Sequence, residues 1–184
     1  MRLELAVAAA RLGTIALLCW ALCRAIVLRR VPRPFSPRRE GLLAATVLYG
    51  AVVAVITIVP LRMTNDRATR VSFMPLGSVL DCITGTHGPP EAPQFCVENV
   101  FGNVMLFMPF GALLPAINGR LRPAPAVVLA AVLVSASIEI VQWAEQRIGV
   151  GRTVDIDDVL WNGVGAYAGY LCVREASRRW GGGR

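Results

Sequence analysis

Residues 135–169 read SASIEIVQWAEQRIGVGRTVDIDDVLWNGVGAYAG, and they set Glu139, Gln142, Arg147, Arg152, Asp155, Asp157, Asp158 and Asn162 into sequence otherwise apolar enough to span a membrane. Ser135, Glu139 and Gln142 recur at i, i+4 and i+7, so one helix carries them on a single face. Asp155, Asp158, Asn162, Gly165 and Gly169 share a face of the next. The Gly165–Gly169 spacing is the small-residue pattern that lets membrane helices approach closely. Two helices joined by a short polar loop follow, with their polar groups turned inward.

The rest of the chain supports a membrane reading. Of 184 residues, 55% are apolar and 17% charged, with a mean hydropathy of +0.55, and the apolar residues fall in blocks about as long as a bilayer is thick. The expected fold is all-α: a polytopic helical bundle of about five transmembrane helices in a single membrane domain covering residues 1–184, with its core at about 42–173. The spans are placed at about 3–28, 42–61, 99–117, 124–143 and 157–173. Residues 29–41 form an Arg-rich linker and 62–98 a polar loop, in which the apolar positions from Phe73 to Ile83 are too few to span and suggest an interfacial or re-entrant piece. Pro109 is expected to kink the third span, and Gly111 to permit a close backbone approach there.

Arginine supplies all 19 basic residues, so the net charge of +7 can be read by position. Three segments assigned to the cytoplasm hold eleven arginines, against five in the two loops assigned outside. By the positive-inside rule the N-terminus is then outside and the C-terminus cytoplasmic. Nucleic-acid binding is set aside, because the arginines flank apolar spans and lack interleaved stacking aromatics. The first block is longer than a signal-peptide core and lacks a small-x-small cleavage site. Cys19 and Cys23 within it read as packed thiols, and Arg24 as a side chain able to snorkel to the surface. Cys82 and Cys96 share the loop assigned to the oxidising side, which makes them the disulfide candidate. His87, the single histidine, offers no metal site by itself.

Counting from the span ends at about 1.5 Å per residue sets Asn103, Glu139 and Asn162 at one depth, about 6 Å below the outer boundary. An acid within a span is costly enough that its default reading is functional. The expected ligand-binding set is Asn103, Glu139, Gln142, Arg147, Arg152, Asp155, Asp157, Asp158 and Asn162, with Arg147 and Arg152 close enough to pair with the acids. Oxygen ligands alone suit magnesium or calcium, for which Glu139, Asp155 and Asp158 are the candidates. The same three are candidate catalytic residues if the site hydrolyses or transfers a lipid phosphate, with Glu139 as base. The competing reading is a satisfied polar network that locks the helices, with Asp155–Asp158 capping a helix N-terminus.

The segments MPLGSVL at Met74, NVMLFMPFGALLP at Asn103, IEIVQ at Ile138 and GRTVDIDDVLWNGVGAYAGY at Gly151 resemble, in order and spacing, the VanZ-like family of bacterial integral membrane proteins. Leu76 departs from the aromatic usual after the proline. The resemblance covers about residues 73–170. It implies recurrent polar positions at Asn103, Glu139, Gln142, Arg152, Asp155, Asp158 and Asn162, a bacterial cytoplasmic membrane location, and a link to susceptibility to the glycopeptide teicoplanin. It supplies no reaction. The expected partners are membrane lipids and a lipid-linked cell-wall precursor or other envelope component, with a hydrolase or a purely structural subunit as alternatives.

Overall fold

The computed structural model describes residues 2–30, 36–58, 71–84, 92–147 and 154–181. The protein is an all-α membrane fold. Its elements in order are α1 (Arg2–Arg30), α2 (Pro37–Thr57), β1 (Val71–Ser72), α3 (Gly77–Thr84), α4 (Ala92–Ile117), a 3-10 turn (Gly119–Leu121), α5 (Ala124–Arg147), β2 (Val154–Asp155) and α6 (Ile156–Gly181). Within α1, α2, α4 and α5 lie segments long and apolar enough to cross a membrane. The sequence expectation of five spans thus meets four that qualify by composition, with α6 as a fifth long helix of more mixed character. The chain forms two compact units, Met1–Leu61 and Arg62–Arg184.

In the first unit α1 packs on α2. The Arg24 guanidinium grips the Glu40 carboxylate through both Nε, at 2.8 Å, and Nη2. A bidentate fork satisfies two donors and cancels both charges, which open lipid would not do. Helix α2 begins at Pro37 rather than Leu42, because proline suits the first helical turn and the polar residues that follow extend it. Threonines in these helices return their hydroxyl protons to the carbonyl four residues earlier, as Thr14 does to Ala10 and Thr57 to Val53. Cys19 and Cys23 are exposed and free, not packed.

In the second unit the register is set by glycines. A Cβ on Gly165 would fall 2.2 Å from the Val104 carbonyl oxygen, and one on Gly169 would fall 1.9 Å from that of Met108. Both pairs advance by four residues together, so α4 and α6 run in the same direction. Gly111 reciprocates: its missing Cβ would meet the Ala166 oxygen at 1.8 Å. Backbone touches backbone along this seam, which only glycine allows. Helix α4 continues through Pro109 and Pro115 as one helix. Helix α5 returns antiparallel, burying Val127, Ala131, Ser135, Ile138, Glu139 and Gln142 along one stripe. The N-terminal ends of α4 and α6 and the C-terminal end of α5 therefore meet at one end of the unit.

Candidate functional site

The acids gather at that end. Asp155 is the residue before α6, and its Oδ1 accepts the Asp157 amide at 3.0 Å, the bond of an N-cap. The Asp155 amide donates in turn to Glu139 Oε2 on α5 at 3.1 Å. In the first turn of α6, where negative charge faces the positive end of the helix dipole, Asp158 Oδ1 accepts from Asn103 Nδ2 at 2.6 Å and from Asn99 Nδ2 at 3.1 Å, both on α4. One turn deeper, Asn162 Nδ2 donates to Ser135 Oγ at 2.7 Å. Burial lifts the Asp155 carboxyl above the usual carboxylate range; the amide of Asp157 works against this lift and the charge of Asp157 adds to it.

A second strand of contacts joins this end to the segment before α3. Val71 and Ser72 pair in parallel with Val154 and Asp155. Met74, Pro75, Leu76 and Gly77 make a turn closed by the Gly77 amide on the Met74 carbonyl at 2.9 Å, with Leu76 at φ 60°. Proline followed by a left-handed residue is the type II pattern, in which the second position is usually glycine or asparagine. A leucine there costs about 1–2 kcal/mol. The fully buried Asp157 holds it, its Oδ1 accepting the Leu76 amide.

The sequence-derived residues thus fall into two layers, not one plane. Asn103 meets Asp158 and Glu139 meets Asp155, while Asn162 lies below them on Ser135. The difference arises because α4 starts at Ala92 and α5 runs on to Arg147, so depths counted from the apolar ends are displaced. Gln142 is buried on the Glu139 face of α5. The Arg147 guanidinium lies 4.7 Å over the Trp143 ring, and among the described residues it makes no ion pair with the acids. Arg152 and the side chains of Cys82 and Cys96 lie outside the described residues, as does His87.

Among the described residues no group of three or more His, Cys, Asp or Glu side chains is placed to hold a metal ion. Each of Glu139, Asp155, Asp157 and Asp158 turns one oxygen to a backbone or side-chain amide N–H. Among the described residues, Asn162 Oδ1, on a residue only 4% exposed, and Trp161 Nε1 are buried without a hydrogen-bond partner.

Asn99, Trp161 and Leu76 are not among the site residues expected from the sequence, which marked Leu76 only as an apolar position after Pro75. Asn99 was legible, since it precedes Asn103 by one helical turn. The link between Leu76 and Asp157 spans 81 positions and carries no local signal.

A protein-family model described as VanZ/LLP1 matches residues 46–177. No curated protein and no solved structure matches.

Proposed function

The chain belongs to the VanZ/LLP1 family, and from that premise we propose that its acidic end binds a polar, donor-bearing headgroup of a cell-envelope component at the outer leaflet and so influences teicoplanin susceptibility. The observation that carries this reading is the carbonyl oxygen of Asn162. It is an acceptor buried in a membrane fold with nothing donating to it. An unmet buried acceptor costs about 1–3 kcal/mol. A hydroxyl or amine from a sugar or peptide headgroup would remove that cost, and the carboxylates one turn above favour the same donor chemistry. Support for the outer side comes from the arginine distribution.

The opposing reading is a network that only packs the helices, favoured by the way each of the four acids takes an N–H. Binding of a labelled lipid-linked cell-wall precursor to the protein in nanodiscs separates the two. Asn162→Leu and the pair Glu139→Gln with Asp158→Asn should weaken binding and shift teicoplanin susceptibility in cells while leaving the protein folded. Unchanged binding in both variants, with only the melting temperature lowered, would leave the packing network as the whole account.

A further inference from the structure

The segment Phe73–Ile83 has a surface that the polar cluster does not explain. Phe73 is 76% exposed and Ile83 78%, and Met74, Leu76 and Leu80 are exposed with them. Leu76, Leu80 and Ile83 recur at i, i+4 and i+7, so the turn and α3 present one apolar face outward. In water this would be doubly unfavourable. The chain holds a leucine in a left-handed conformation that leucine avoids, and it does so with the side chain turned out.

The level of this segment in the fold gives the reason. Asp157, which holds the Leu76 amide, is next to Asp158, whose partners are Asn99 and Asn103. The apolar window of α4 starts at Val97. The two asparagines are thus about 3 and 9 Å inside its edge at the helical rise, and the Leu76 turn is carried at the level where a bilayer passes from headgroup to acyl chain. Helix α3 packs on α4, and α4 exposes Val97, Phe101 and Met105, at i, i+4 and i+8, as an apolar stripe of its own.

We propose that Phe73–Ile83 is a monolayer-inserted segment, with its apolar face among the acyl chains of one leaflet, and that Asp157 fastens it to the acidic cluster through the Leu76 amide. The fastening runs in one line: Glu139 holds the Asp155 amide, Asp155 caps Asp157, and Asp157 holds Leu76. A segment too short to span is thereby tied at a fixed depth to the acidic cluster, and its insertion holds that cluster at the same depth. This stands whether or not the cluster binds a headgroup.

Photolabelling tests it on the unaltered full chain in phosphatidylcholine vesicles doped with a lipid carrying a diazirine on its acyl chain. Adducts mapped by mass spectrometry are expected on Phe73, Met74, Leu76, Leu80 and Ile83 as well as on the α4 stripe. Labelling of Val97, Phe101 and Met105 with none in 73–83 would overturn the proposal. Asp157→Ala should lose the adducts on 76–83 while keeping those on α4, which also reports that the variant has inserted. Asp157→Asn, which keeps the acceptor oxygen, should retain them. Full labelling in Asp157→Ala would overturn the fastening.

Discussion

Gly169 lies against Met108 so closely that a single methyl on its Cα would fall 1.9 Å from the Met108 carbonyl oxygen. The obstructing atom is backbone, so no rotamer change makes room. Gly169→Ala is expected to destabilise the fold by about 3 kcal/mol, at the upper end of overpacking costs, and Gly111→Ala and Gly165→Ala should act alike. Gly102→Ala is the control: it lies in α4, a Cβ there would meet nothing within 4 Å, and the change should be neutral or mildly stabilising. Thermal unfolding in detergent compares the four.

The Asp158 contacts predict energetic coupling between helices. Asn103→Ala and Asp158→Ala should each lower stability by about 1.5–3 kcal/mol, as loss of a hydrogen bond to a charged group does, and the double variant should cost less than their sum. Asn99→Ala should have the smaller effect, its contact being 3.1 Å against 2.6 Å for Asn103. A double-mutant cycle in detergent reads the coupling; strict additivity would separate the residues.

Much of this was legible in the sequence. The apolar blocks gave the long helices, and the i, i+4 spacing of Glu139 with Ser135 and of Asn162 with Asp158 marked the polar faces. Helix ends were less legible, because hydropathy marks what suits lipid while α2 and α4 continue into polar sequence at Pro37 and Ala92. The parallel pairing of Val71 with Val154 and the Leu76–Asp157 bond join distant positions and depend on the finished fold.

Asp155 predicts a pH dependence. Its folded-state pKa is raised by burial, so the fold favours the protonated acid. Its contribution is fully present below the unfolded value, about 3.9, and is lost as pH rises through the folded value. Asp155→Asn stays neutral and keeps an oxygen for the Asp157 amide. The variant's stability advantage over the parent should therefore be largest at neutral pH and shrink as the pH falls toward about 4. Melting temperatures over that range check it; an advantage independent of pH would contradict it.

The Arg24–Glu40 fork predicts an asymmetric response within the first unit. Arg24→Ala strands a carboxylate and Glu40→Ala strands a guanidinium, so each should destabilise the α1–α2 pair. Arg24→Lys, which offers a point charge in place of two parallel donors, should rescue only in part. The exchange Arg24→Glu with Glu40→Arg should recover more than either single change, measured as protease resistance of the 1–61 unit in the full chain.

The glycine seam also dictates an order of assembly. Helix α6 carries two acids in its first turn, an asparagine in its interior and arginines in its last turn, and it does not qualify as a span by composition. Its seat depends on the Val104 and Met108 carbonyls of α4, against which Gly165 and Gly169 lie, and on Ser135 of α5, which takes the Asn162 amide. A helix that leaves the ribosome after α4 and α5 thus finds its seat already built by those two, and side chains that fill the seam would leave α6 without it.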